Sequence, residues 1–454
     1  MVGVAISVLL ISVLQSTHLY HNSDAPPVAT AEHASPMDVM GSAWPASVAL
    51  VILATLGMLV PPAVVLIGAV VLAHALGIAA LQAPLVGPLL ISDVLLLVHL
   101  LRGLAQRPTR AERNGAVSLW LALFLSWSFL ATLYAGMPVT PLLRIAVYGA
   151  VFLLLSRQGT DRRLIYCGVL CYALANLLGG VLEGQPRLVG VDIGDPFQTG
   201  ALLLAALCPL LTSELRFRGR WVVGAVLLCG IVQTQTRSVW FATVVVLVVW
   251  AQRKLSTVKL VVILAGLVLT GLNMVDSVSQ RLGLNGFSAV LRTQSVVNGI
   301  RSGLENPVFG SGWSRVSSMD HFQVAGWNTL RQVLPYNLFV NVFASAGLPG
   351  LLALVLFLGG LIRRLACRRG APLLFTVAVL AMSLTEMTLY AGSMQTLLFF
   401  VYAGMGLGPA RPVRGESPEI LPGTTANRPT PPRTSKPRGP HTKAGATCEA
   451  PART

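Results

Sequence analysis

The sequence predicts an all-α polytopic membrane protein, a bundle of about 12–14 transmembrane helices with one large external helical loop. Three observations predict it. Of 454 residues, 54% are hydrophobic and only 11% charged, a balance outside the soluble range. Apolar stretches of about 17 residues or more recur along the chain, each long enough to cross a bilayer. The basic residues fall in short loops between these stretches, and loops that carry them alternate with loops that nearly lack charge. A spanning segment must satisfy its own backbone hydrogen bonds, so helices are the expected form.

The elements follow in order. Residues 2–20 are apolar and lack the basic start of a cleaved signal, so they read as a retained helix. A polar loop with Asp24, Glu32 and Asp38 covers 21–43. Apolar segments follow at 44–60, 62–79, 85–103, 115–134, 139–156, 164–182, 199–213, 221–235, 239–252 and 260–275. After a polar loop at 276–335 come segments at 336–361, 371–389 and 393–409. Residues 410–454 are rich in Pro, Thr, Gly and Arg, have no apolar period and cannot bury a core. The chain thus divides into an N-terminal transmembrane region of about 11 spans (1–275), an external loop with short helices (276–335), a C-terminal transmembrane region of about 3 spans (336–409) and a disordered basic cytoplasmic tail (410–454).

Orientation comes from the basic loops. Arg102 to Arg113, Arg157 to Arg163, Arg216 to Arg220, Arg253 to Lys259 and Arg363 to Arg369 form five such loops on one side. By the positive-inside bias that side is the cytoplasm, which puts both termini inside and residues 276–335 outside. The net charge of +16 then reads as topology signal, not as an affinity for nucleic acid. The basic tail can also touch anionic membrane lipids. The six cysteines show no zinc spacing, and none lies in an expected external loop, so neither a metal nor an external disulfide is expected.

On the expected outer side stand Arg144, Arg187, Arg237, Arg281, Arg292, Arg301, Arg315 and Arg331. Arginine presents a planar fork of donors that fits a phosphate in two-point contact. Arg237 sits in a polar knot, Gln233-Thr234-Gln235-Thr236-Arg237-Ser238, on a turn between two apolar segments. A charge there is costly unless it binds an anion, snorkels to lipid heads or forms an ion pair. Arg144 lies about one and a half turns into its span, able to snorkel outward or reach an anion in a central cavity. Residues 288–304 read as a helix with Val290, Val297, Ile300 and Leu304 at helical spacing, lying on the membrane or over the bundle mouth. Nine residues put Arg292 and Arg301 on roughly opposite faces of it. Asp93, His99 and Glu386 are intramembrane ionisable residues, without a spacing that makes a proton relay. Asp320-His321 is the one adjacent acid–imidazole pair in the external loop, and Asn337 is placed to orient a hydroxyl or to cap a helix.

Arg292, then Pro307-Val308-Phe309-Gly310-Ser311-Gly312 fifteen residues on, then Tyr336-Asn337 at the head of a long apolar helix that contains Gly347-Leu348-Pro349-Gly350, make an ordered set. Together with the Thr236-Arg237-Ser238 turn, this set resembles the O-antigen ligase and polymerase family of bacterial membrane glycosyltransferases over roughly residues 230–361. The family shows His where this chain has Tyr336. The resemblance implies the fold of lipid-linked-sugar glycosyltransferases and transfer of a glycan from an undecaprenyl pyrophosphate carrier to an acceptor glycan, lipid or protein. That transfer would take place at the outer face of the cytoplasmic membrane, without cofactor. Arg237, Arg292, Arg301 and Arg144 would hold the pyrophosphate, and Tyr336, Asn337 and His321 would serve catalysis. A phenol is a poor base at neutral pH, so Tyr336 would need cationic neighbours to act as one, or would only orient the acceptor. The other functions considered are a lipid-linked glycan flippase and a non-catalytic member of a glycan-assembly complex. A flippase would show two repeated halves around broken midplane helices.

Overall fold

Of the chain, the computed structural model describes residues 60–72, 91–105, 115–137, 139–157, 160–190, 193, 195–252, 286–313, 318–324, 327–333, 335–386, 388–389 and 393–409. Among these the helices are α1 Pro62–Leu72, α2 Ile91–Ala105, α3 Gly115–Tyr134, α4 Thr140–Arg157, α5 Arg162–Leu182, α6 Pro196–Leu211, α7 Arg220–Gln233 and α8 Arg237–Ala251. They continue with α9 Gly286–Glu305, α10 Leu338–Arg368, α11 Ala371–Ser383 and α12 Met394–Leu407. The helices expected at 2–20 and 260–275, most of that at 44–60, the loop at 21–43 and the tail from 410 lie outside the described residues.

Apolar runs and cap residues set the helix limits. The Asp161 carboxylate accepts from Leu164 N–H at 3.2 Å and starts α5. Asp195 accepts from Phe197 N–H at 3.0 Å, and Pro196 follows it, so α6 begins three residues before its apolar run does. Helix α6 is the centre of the bundle, with every residue from Thr199 to Leu211 buried. Tyr402 of α12 donates to its Ala205 carbonyl at 2.9 Å. The α4–α12 seam is aromatic, with Phe152 edge-on to both Phe357 and Phe400. Helices α3, α5 and α10 are long and apolar enough to cross a membrane. The sides of α3 that face outward carry Leu119, Leu123, Leu130 and Leu133, all exposed, as a lipid-facing surface requires.

Two expectations need correction. Residues 276–335 are not only short helices: they hold the 20-residue α9 and a two-stranded antiparallel hairpin, Ser318–Val324 (β1) with Trp327–Val333 (β2). The register sets Asp320 opposite Arg331 and Phe322 opposite Thr329, pairings that suit a hairpin, and the stretch has no 3.6-residue apolar period to make it helical. The segment expected at 371–389 is helical only to Ser383. Beyond it hydroxyls take over: Ser383 Oγ bonds to Val379 O at 2.6 Å and to Thr388, whose carbonyl accepts from Thr396 Oγ at 2.8 Å.

The two ends of the bundle differ. At one end Arg162 donates to Gly408 O at 2.9 Å, Arg368 donates to Gly406 O and Gly408 O at 2.8 and 2.7 Å, and Glu214 accepts from Ala371 N–H at 2.7 Å. Three of the basic loops therefore gather at this end. The C-terminal ends of α7 and α11 and the starts of α8 and α10 lie at the other, where Arg187 bonds Thr234 O and Asn337 bonds Leu384 O.

Candidate functional site

The site is organised by a break in α10. Gly347 has φ 68° and ψ −171°, a conformation open essentially to glycine alone. It interrupts the helix after Ala346 and leaves carbonyls without intrahelical partners. The Asn306–Gly312 turn supplies them. Ser311 N–H donates to Ala344 O at 2.8 Å, Gly312 N–H to Ser345 O at 3.0 Å, and Leu348 N–H to Pro307 O at 2.7 Å. Phe309 of the same turn stacks between Trp127 and Tyr134 of α3, at centroid distances of 5.2 and 4.6 Å. Trp127 in turn donates to Ala346 O at 2.9 Å. The Pro-x-x-Gly-x-Gly string is thus a wedge that fills the break and ties α3 to α10. The second half of α10, Leu348–Arg368, spans roughly 31 Å at 1.5 Å per residue, the thickness of a hydrocarbon core. Its last turns carry Arg363, Arg364 and Arg368, so the break and these arginines lie at opposite ends of this half.

Helix α9 packs across the first half of α10 by its small residues. Gly299 lies against Val340 and Pro335, and Gly303 against Phe343. Ser295 Oγ accepts from the Tyr336 N–H at 3.5 Å. Arg292 occupies the position one turn before Ser295 on this unbroken helix. Arg301 lies on the other side, exposed in a stripe with Val297, Ile300 and Leu304, which are 49, 41 and 67% exposed. The apolar stripe that the sequence reading set against membrane or bundle faces away from α10; the glycine and serine face does the packing.

Asn337 is the N-cap of α10. Its Oδ1 accepts from Phe339 and Val340 N–H at 2.9 and 3.1 Å, and its Nδ2 donates to Leu384 O at 2.9 Å, joining α10 to the end of α11. Tyr336 is half-buried beside it. His321 lies on β1 with Leu330 as its register partner. Arg144 is half-buried in the second turn of α4, on the face that carries buried Tyr148 and Leu155.

Arg237 is the first residue of α8 and is exposed. Arg187, one of the eight outer-side arginines but not of the four expected to hold the pyrophosphate, comes to the same turn: its Nε donates to Thr234 O at 2.9 Å and its Nη2 to Thr236 Oγ1 at 3.4 Å. Leu188 N–H donates to Gln233 O at 3.0 Å, which fixes the two segments together. No local sequence signal links residues 47 and 49 positions apart.

An open apolar groove of about 480 Å³ runs between α8, α10 and α11. Phe241 and Val245 of α8, Phe339 and Val355 of α10, and Leu380 and Leu384 of α11 are among its walls, and Gly359 lies along it. Phe241 is one turn from Arg237 on α8, Phe339 follows Asn337 by two residues, and Leu384 is the residue that Asn337 bonds. Arg237 and Asn337 therefore adjoin the wall residues at one end of a single apolar groove, and Tyr336 precedes Asn337 in the chain. The structure does not bring Arg301 to this end, since it faces outward from α9.

A search of curated proteins finds no match to the chain. Residues 222–355, from α7 through the wedge and into the second half of α10, match the family model described as O-antigen ligase. With its long apolar helices, the chain is an integral membrane protein that carries, at residues 222–355, a segment similar to the O-antigen ligase family.

Proposed function

We propose that the protein transfers a glycan from an undecaprenyl pyrophosphate carrier to an acceptor at the outer face of the cytoplasmic membrane. The apolar groove with Arg237 at its end is the observation that carries this reading. A polyprenyl chain needs an apolar track open to lipid, and its pyrophosphate needs donors at the head of that track. The groove supplies the first and the arginine fork the second. Arg292 stands one turn from the residue that meets Tyr336, so it serves the same end of the groove. Arg144, half-buried in α4, is the fourth arginine of the proposed set. The pyrophosphate is a good leaving group, so the main tasks are to position the acceptor and to stabilise the departing charge. Asn337 holds the end of α10 against α11 and so positions Tyr336 above the groove. His321 of β1 is the alternative base. A flippase would have broken helices whose free backbone groups face a midplane site. The wedge takes up the carbonyls freed by the break in α10, which leaves none of them for a transported group, so the transfer reading is favoured.

Gly359 gives a direct test. A Cβ built there meets nothing within 4 Å, so a larger side chain enters the groove without disturbing the bundle. Gly359→Phe is expected to fold normally and to lower glycan transfer tenfold or more by raising the apparent KM for the carrier. Unchanged transfer by a folded Gly359→Phe protein would exclude the groove as the carrier track.

Tyr336 is tested by two exchanges. If its hydroxyl carries chemistry, Tyr336→Phe is nearly inactive, and Tyr336→His keeps partial activity with its pH optimum moved toward about 6.5, the imidazole range. A Phe variant as active as the parent, with His321→Ala inactive, moves the base to β1.

A further inference from the structure

We infer that Arg187 is a second phosphate-binding guanidinium, which acts with Arg237 on the same pyrophosphate group. The inference rests on the carrier reading above and adds a residue to it. Arg187 spends two of its five N–H donors on the Thr234–Thr236 turn that leads into Arg237, and the residue is exposed, so its remaining donors are open to a ligand at that turn. Two like charges held at one turn repel each other. They also sit at the N-terminus of α8, where the helix dipole already disfavours cations.

The local structure does nothing to relieve this. Thr236, the N-cap of α8, gives no side-chain cap, because its hydroxyl donates back to Thr234 O at 3.1 Å. The first N–H groups of α8 are thus left without the usual side-chain acceptor. Ser238 Oγ, in the first turn, is 3% exposed and has no hydrogen-bond partner among the described residues. A phosphate answers all four features at once: it neutralises both guanidiniums, accepts from the uncapped N–H groups, favours the positive helix end and offers Ser238 an acceptor. Gln235, held at φ 51° between the two segments, donates to Pro186 O at 3.3 Å and keeps the two arginines in register.

The chemistry recognised is a phosphate, which either the carrier pyrophosphate or an anionic lipid headgroup can present; the groove beside Arg237 assigns it to the carrier. The test measures binding of undecaprenyl pyrophosphate to the full protein in nanodiscs of phosphatidylcholine. Arg187→Gln keeps a donor for Thr234 O and loses the charge, so the turn is retained. It is expected to weaken binding about tenfold and to flatten the dependence of affinity on salt. Arg187→Lys is expected to fall between it and the parent. Thr236→Val, which removes only a bracing contact, should bind like the parent. Parent-like binding by Arg187→Gln would overturn the inference. So would Thr236→Val reproducing the loss of Arg187→Gln with an unaltered salt dependence, because Arg187 would then only brace the turn. Parent-like binding by Arg237→Ala as well would remove the carrier reading itself, whereas a loss confined to Arg237→Ala would leave that reading intact and remove Arg187 from it. In phosphatidylglycerol nanodiscs the carrier should keep its affinity for the parent. A tenfold loss there would mean that a lipid headgroup occupies the site, and would overturn the assignment to the carrier.

Discussion

Arg237→Lys is expected to lower glycan transfer about a hundredfold, close to the effect of Arg237→Ala. The lysine keeps the positive charge but replaces a planar fork with a point donor, and two-point contact with a phosphate is lost. Position matters as much as charge. Arg237 opens α8, one turn from Phe241 of the groove wall, and the proposal puts its guanidinium at the head of the carrier. Arg301→Ala, which removes a cation from the outward side of α9, is expected to change transfer little. The comparison is made by counting carrier-linked and transferred glycan in a deletion strain that expresses each variant at equal level. Normal output from Arg237→Ala would withdraw the phosphate role from this turn.

Gly347→Val has the second large effect, and it acts on the fold. The native φ of 68° with ψ near −171° is strained for any residue with a Cβ, at about 1–3 kcal/mol. The added carbon would also collide with the Val308 carbonyl and come within 2.7 Å of Pro307 O. The wedge would be pushed out of the break, leaving the Ala344 and Ser345 carbonyls without partners inside the protein. Little folded protein is expected in the membrane, and what remains should unfold at a clearly lower temperature. Gly360→Ala is the control: its Cβ meets only Val117, at 3.4 Å, so near-parental stability is expected. A Gly347→Val protein as stable as the parent would mean that the turn does not hold the break.

The helices were legible because apolar runs end at caps and basic loops, and both signals are local. α3 occupies its apolar run from 115 to 134 without adjustment. Asn337 was legible as a cap or an orienting group, and the structure uses the amide as a cap, which leaves its part in the chemistry to experiment. The Pro307–Gly312 string was legible as a motif but not as a wedge, because its partners Ala344, Ser345 and Leu348 are some 35 residues away and offer only backbone atoms. Arg187 was legible as an outer-side arginine, but its place at the Arg237 turn was not, because its partners are a carbonyl and a hydroxyl far along the chain. The groove could not be read at all, since Phe241, Val355 and Leu380 come from three helices and each looks like ordinary lipid-facing surface. The hairpin was missed because Asp320, Arg331 and the polar residues around them suggest an irregular loop, and the register that pairs them is not a local property.

The central claim is that the carrier lies in the groove between α8, α10 and α11. A photoreactive amino acid at Val355, inside the groove, tests it in living membranes, with Leu123 on the exposed side of α3 as the reference. On irradiation, position 355 should form an adduct with polyprenyl-linked glycan, which Arg237→Ala weakens, while position 123 should yield adducts with bulk phospholipid alone. Equal polyprenyl labelling at both positions, or none at 355 in an active protein, would contradict the account.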